Sequence, residues 1–287
     1  MIPNISIIVL LFEEDDKAIN QCLDSIKNFK IIIIDNSNNK EREKLLKSKY
    51  KIYEYIRNDK NLGFGKANNL GIKRCDTEYL LILNSDCIIS EENIQKLYNG
   101  HIKYDKCFLT APTFYDHNNK LALSSASYPE LNLKDDTINL EGDLCCQWVL
   151  GAAMFFKTDE LKKIGMFDEN FFLFFEDVDL CKRINSQDRS VIQIFDSKAL
   201  HVHGQHKSVK NIYKKIFIFN YNYTFSELYY LYKINKHKEK YEYLKKKRFN
   251  YFIKIFTNLL LLKPEKTVYF FSKILAFYKF NKLINKN

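Results

Sequence analysis

The stretch FFLFFEDVDLCKR, residues 171–183, runs aromatic and aliphatic side chains straight into Glu176, Asp177 and Asp179. Charged side chains are almost never fully buried unless they are paired, so acid set against this much phenylalanine needs a reason. A first helical turn is one, because acids there cap the helix and suit its dipole. A catalytic carboxylate in a partly desolvated wall edged by Phe172, Phe174 and Phe175 is another. Desolvation would raise its pKa and make it a better base near neutral pH. Other polar clusters could complete such a site. Asp35-Asn36-Ser37-Asn38 follows the run KIIII, and Asn84-Ser85-Asp86 ends YLLILN. Between them lies NDKNLGFGKANNLGI (58–72), where Gly63 and Gly65 permit close backbone approach and Asn61, Asn68 and Asn69 offer amide donors and acceptors. Downstream, HVHGQHKS (201–208) supplies His201 and His203.

The elements needed to position these residues are legible. ISIIVLLF (5–12), KIIIID (30–35), KIYEYI (51–56) and EYLLILN (78–84) are short β-branched or apolar runs, and between the first two Ala18, Ile19, Cys22, Leu23 and Ile26 recur at helical spacing. Strands alternating with helices predict a parallel sheet covered on both faces. Ligands in such sheets bind beyond the carboxyl ends of the strands. Both Asp35 and Asp86 belong at such ends. Polar residues also suit turns without any ligand. The glycine loop is neither GxGxxG nor GxxxxGK[ST], so no dinucleotide or P-loop site is assigned. Asn68 and Asn69 are poor helix formers inside a helical stretch, which points to other work for their side chains.

Composition narrows the class. With 46% hydrophobic residues in 287 the chain is not globally disordered. The cysteines at 22, 75, 87, 107, 145, 146 and 181 are odd in number and include no CxxC pair, which suits neither a zinc site nor a disulfide framework. They read as reduced thiols of a cytoplasmic protein. The net charge of +10 is uneven: from residue 209 onward there are 18 Lys/Arg against 4 Asp/Glu, leaving 27 against 31 in the first 208. That shift marks a boundary near 209.

Six pieces in order, IIVLLF, IIIIDNSN, NLGFGKANNLGI, LILNSD, WVLGAAMFFKTDELKKIGMFDENFFLFFEDVDLCKR and ALHVHGQHKS, span about residues 5–208. Together they resemble the inverting GT-A glycosyltransferases of family 2, in their rhamnosyltransferase-like branch. The resemblance implies a Rossmann-like, mostly parallel α/β sheet flanked by helices over residues 1–208. It implies a hexosyltransferase that moves a sugar from a nucleotide-diphosphate donor, UDP- or dTDP-linked, to a hydroxyl of a growing surface glycan such as a polysaccharide, lipopolysaccharide or lipid-linked oligosaccharide. Asp35 would read the nucleotide base, and Asn61, Gly63 and Asn68 would lie by the donor. Asn84 and Asp86 would position ribose and metal, although Asn84 replaces the first carboxylate of a full DxD. A divalent cation, Mn²⁺ or Mg²⁺, would then hold one protein carboxylate, with substrate phosphates and water completing its shell. His201 matches the late histidine ligand of the family, with His203 as runner-up; a surface histidine cluster is the competing reading.

In the same resemblance Asp177 is the base, Glu176 binds the acceptor or holds the base, and Glu176 is also the alternative base. Asp179 orients or caps the following helix. Trp148, Gly151 and Ala152 fall on the acceptor side, and Lys66, Arg183 or Lys207 could assist the leaving group. A catalytically inactive nucleotide-sugar or membrane-binding module on the same scaffold is the alternative.

Residues 209–287 form a helical tail rich in Lys, Tyr and Phe. Positions 249, 252, 253, 256, 259 and 260 are all apolar, a helical stripe just after KKKR (245–248). The stripe could pack on the catalytic domain, lie in an anionic membrane interface, or bind nucleic acid. The resemblance favours a membrane surface, hence peripheral attachment at the inner face of the cell membrane, over nucleic acid.

Overall fold

In the computed structural model, residues 4–118, 120–121, 125–127, 142–201, 211–234 and 238–285 are described. The first half comprises β1 (Ile5–Leu11), α1 (Asp16–Ser25), β2 (Lys30–Asp35), α2 (Lys40–Lys49), β3 (Ile52–Arg57), α3 (Phe64–Arg74), β4 (Tyr79–Asn84), β5 (Cys87–Ile89), α4 (Glu91–Lys103) and β6 (Cys107–Tyr115). Then follow β7 (Ser125–Ser127), β8 (Leu144–Val149), β9 (Ala153–Lys157), α5 (Thr158–Lys163), α6 (Glu176–Asn185) and β10 (Ser190–His201). Three long helices complete the chain: α7 (Ile212–Ile234), α8 (Lys238–Leu260) and α9 (Pro264–Ile284).

The strands form a single sheet in the order β3-β2-β1-β4-β9-β6-β10-β8-β7, with β5 paired to the end of β10. The expected parallel character holds from β3 through β4. Beyond that the sheet is mixed: β9 runs antiparallel to both β4 and β6, β8 runs antiparallel to β10, and only β6 and β10 pair in parallel. Alternation along each strand sends side chains to opposite faces. From β1, Ile7, Val9 and Leu11 join Ile19 and Leu23 of α1 and Ile94 and Leu97 of α4. Ile8 instead joins Ile32 and Ile34 of β2, Ala67 and Ile72 of α3, and Leu180 and Ile184 of α6. Helices therefore cover both faces, and four consecutive isoleucines in β2 are fully buried. Six of the cysteines are buried as free thiols, and Cys145 on β8 is exposed.

Two compact units are distinguished. One comprises residues 1–170 and 176–207; the other comprises 171–175 and 208–287. In the second, Phe225 and Leu228 of α7, Tyr251 of α8, and Ala276, Phe277 and Phe280 of α9 form a core. The apolar stripe of α8 is not in it. Phe249, Phe252, Ile253, Phe256, Leu259 and Leu260 are all exposed, while Tyr251 and Asn258 are buried. Helical spacing made the stripe visible in the sequence, but the inward face is the one carrying Tyr251.

Candidate active site

The carboxyl end of β2 places Asp35 in full burial. Its carboxylate accepts bonds from the Ser37 amide (2.7 Å), the Ser37 hydroxyl (2.5 Å) and the Tyr55 hydroxyl (2.7 Å). Burial, and then the hydrogen bond to Asp35, push the Tyr55 phenol up, so that it stays a donor. The adjacent Asn36 is a hub. Its amide nitrogen donates to Asn61 Oδ1 (3.0 Å) and to the Gly63 carbonyl (3.2 Å), and its oxygen accepts from Asn58 Nδ2 (2.9 Å). Asn61 also accepts the Gly63 amide at 2.8 Å. Gly63 caps α3 with φ 84°, in the left-handed region where a side chain is costly.

The two asparagines inside α3 do different work. Asn69 clasps the backbone of Phe167, donating to its carbonyl (2.9 Å) and accepting its amide (3.1 Å). Asn68 donates to the Phe64 carbonyl (3.1 Å), while its own Oδ1 is buried with no hydrogen-bond partner among the described residues. A buried acceptor left unmade is expensive, and an incoming donor group would satisfy it.

Asp86 lies just past the end of β4. Pairing of β5 with the last residues of β10 sets Cys87 opposite His201, and this brings His201 Nε2 within 3.3 Å of Asp86 Oδ1. One ligand atom each from Asp86, Cys87 and His201 lies within 4.8 Å of the others, all three residues being buried. A carboxylate and an imidazole at that separation can share a divalent cation, since each would sit about 2 Å from it. Burial pushes the Cys87 thiol well up, with the Asp86 charge second, so the carboxylate and imidazole are the better-suited donors. The donor set therefore fits a borderline divalent ion. His203 and Lys207 lie outside the described residues.

At the start of α6 the two acids have different surroundings. Asp177 is half-buried and accepts the Gly151 amide on Oδ2 (2.9 Å) and the Val178 amide on Oδ1 (2.8 Å). Glu176 is buried, and its Oε2 has no hydrogen-bond partner among the described residues. Burial raises both carboxyls. For Glu176 the neighbouring Asp177 charge adds to the rise, whereas the Gly151 and Val178 amides offset part of it for Asp177. The two backbone amides favour the charged form at Asp177 over Glu176.

The rings before this pair have aromatic partners of their own. Phe174 packs on Phe219 and Tyr223, and Phe175 on Tyr223 and Tyr230. Arg183 is not available for a leaving group. It pairs with Asp179 (2.9 Å) and donates to the carbonyls of Ile164 (2.7 Å) and Met166 (2.5 Å). Lys66 pairs with Glu169 at 3.1 Å. Trp148 is half-buried against the α3–α6 core.

A chain of direct contacts joins these pieces. Asn36 touches Asn61 and Gly63; Gly63 leads into Phe64; and a Cβ on Gly151 would meet the Phe64 ring at 3.3 Å and Asp177 Cβ at 3.5 Å. The Ala152 carbonyl next to Gly151 accepts the Asn84 amide at 2.8 Å, two residues before Asp86. Three connections went unseen in the sequence: the Asn36 hub, the Phe64–Gly151 contact, and Arg42. Arg42 is buried and donates to the carbonyls of Phe12 (2.9 Å) and Glu14 (3.2 Å). The first two lay inside quoted motifs; nothing around Arg42 distinguishes it from its lysine-rich helix.

Comparison with known proteins gives the following. The profile described as Glycosyl transferase family 2 matches residues 6–161. A low-salt glycan biosynthesis hexosyltransferase, Agl10 of Haloferax volcanii, is 24% identical over 214 residues, covering 70% of this chain and 68% of that protein. Rhamnosyltransferase WbbL of Escherichia coli K12 is 24% identical over 227 residues, covering 70% and 83%. Among solved structures, GalNAc-T7 with UDP, GalNAc and Mn²⁺ superposes with a TM-score of 0.57 at 13% identity, over 84% of this chain and 54% of that one. S. aureus TarS 1-349 in complex with UDP-GlcNAc superposes with a TM-score of 0.53 at 19% identity, over 76% and 65%. The chain thus spans about half to two thirds of those two structures, and at these identities the likeness is one of fold.

Proposed function

The chain belongs to glycosyl transferase family 2, and from that premise we propose an inverting, metal-assisted hexosyl transfer from a UDP- or dTDP-sugar to a hydroxyl of a surface glycan. Residues 1–208 form the transferase domain, and 209–287 an accessory helical tail. What carries the reading is the bond from the Gly151 amide to Asp177 Oδ2, on the turn whose Ala152 carbonyl holds the strand end leading to Asp86.

Inversion needs a single displacement. The acceptor oxygen attacks the anomeric carbon as the bond to the diphosphate breaks, and its proton passes to the base. Asp177 takes that proton. Its two backbone donors fix the carboxylate's orientation while burial keeps it basic. Glu176, carrying its own proton, donates a hydrogen bond to the acceptor. Asp35 receives the nucleotide base; Asn61 and Gly63 shape the donor loop, and Asn68 offers its unpartnered oxygen. Gly151 and Ala152 leave room for the acceptor, and Trp148 presents a face for sugar stacking. A divalent cation, Mn²⁺ or Mg²⁺, held by Asp86 and His201 with Asn84 alongside would supply positive charge to the departing diphosphate.

Attachment to an anionic membrane surface through the tail accompanies this reading. The relatives' printed activities are in glycan synthesis and rhamnosyl transfer, which favours a glycan acceptor and leaves nucleic acid without a role. The decisive experiment replaces Asp177 by Asn. Turnover with a UDP- or dTDP-sugar should fall by about 10²–10⁴, while thermal stabilisation by the donor with Mn²⁺ is retained. Retained stabilisation with no turnover in the unaltered protein would indicate a binding module instead.

A further inference from the structure

The backbone immediately before the catalytic pair is strained. Phe174 has φ 72° and Phe175 φ 67°, left-handed values that bulky L-residues avoid because Cβ crowds the following carbonyl. Two such residues in succession persist only where their surroundings over-determine the conformation. Those surroundings are one face of α7. Phe219 meets Phe174 at 4.9 Å between ring centroids, and Tyr223 meets Phe174 at 5.7 Å and Phe175 at 5.4 Å. Ser226 donates to the Leu173 carbonyl at 2.9 Å, and Tyr230 meets Phe175 at 5.5 Å. Positions 219, 223, 226 and 230 recur at three- and four-residue steps, a single helical stripe. The whole stripe is spent on residues 173–175, and Phe175 is bonded directly to Glu176.

We propose that this aromatic stripe of α7 is a positioning device for the base. By holding Phe174 and Phe175 left-handed, Tyr223 and its neighbours on α7 fix the backbone that continues into Glu176 and Asp177. None of these residues touches substrate; they act through the peptide link. The proposal rests on Asp177 being the base, and it gives the tail a task in turnover that is separate from any membrane contact.

Tyr223→Ala tests it. Without the ring the strained pair relaxes, and kcat should fall on the order of ten- to a hundredfold, with KM for the donor and thermal stabilisation by UDP unchanged. Tyr223→Phe keeps the ring and should restore kcat. A second readout does not depend on turnover. The Gly151 amide, which donates to Asp177, should exchange hydrogen faster in Tyr223→Ala, approaching its rate in Asp177→Asn, and at the unaltered rate in Tyr223→Phe. Ser226→Ala, which removes one bond only, should move both readouts in the same direction by less, and serves if Tyr223→Ala does not fold. Unaltered kcat and unaltered Gly151 exchange in the folded alanine variants would overturn the positioning role while leaving the transferase reading standing. If the unaltered protein has no turnover, the function proposed above fails instead, and the exchange measurement still decides the clamp.

Discussion

Glu176 and Asp177 are the same chemistry in consecutive positions, and their hydrogen bonds separate them. Asp177 receives two backbone amides; one oxygen of Glu176 receives nothing among the described residues. Glu176→Gln preserves a neutral hydrogen-bond donor, so turnover at neutral pH should survive to within about tenfold, in contrast to Asp177→Asn. Burial raises the Asp177 carboxyl, so the acid limb of kcat/KM should fall above the ordinary aspartate range; a limb at the ordinary value would remove the desolvation argument. Elsewhere, His101 is buried between Tyr79 and Phe155, and burial pushes its pKa down to about 4 from 6.5. The sign follows: the folded state holds the ring neutral, so stability is complete above about pH 6.5 and is lost as pH falls toward about 4, by up to about 3 kcal/mol. Urea midpoints measured between about pH 7 and about pH 4.5 should slope less in His101→Gln. An unchanged slope would assign acid sensitivity to other groups.

At the scale of elements, the approach of α3 to the sheet is set by Gly71. A Cβ there would lie 2.7 Å from Ile8 Cγ2 and 3.4 Å from Ile34 Cδ1. Gly71→Ala gains helix propensity but overpacks, and the net should be a loss of about 1–3 kcal/mol, read as a lower urea midpoint; a midpoint at or above the unaltered one would mean that helix and strand can part freely. The strands β1, β2 and β4 were readable because each is an apolar run buried on both faces, a pattern local to its own residues. The antiparallel insertion of β9 between β4 and β6 was not, because strand pairing depends on partners far along the chain. The same division holds in the site. Asp35 and Asp86 fall at strand ends that the pattern locates. The Asn69–Phe167 clasp and the diversion of Phe174 and Phe175 to α7 depend on contacts that no local spacing encodes.

For the molecule as a whole, the +10 charge is carried by the tail, and the same region bares apolar surface. Leu260 is 85% exposed and Leu262 87%, with Leu259, Leu261, Phe256 and Phe249 also exposed around the α8–α9 turn, flanked by Arg248, Lys254, Lys263 and Lys266. No helix among the described residues is long and apolar enough to cross a membrane. An apolar tip with basic neighbours suits the interface of an anionic bilayer, where each inserted Leu or Phe contributes about 1.5–3 kcal/mol. The protein should co-sediment with phosphatidylglycerol vesicles at low salt, and Phe256→Glu with Leu260→Glu should release it. Equal sedimentation of the double variant, or none of the unaltered chain, would refute lipid attachment.

The exposed position of Cys145 has a practical use. Burial pushes the thiols of Cys22, Cys87, Cys107 and Cys181 up and leaves them unreactive, and Cys75 and Cys146 are buried as well. A maleimide dye should therefore label the native chain at Cys145, on the strand that also bears Trp148, the only indole in the sequence.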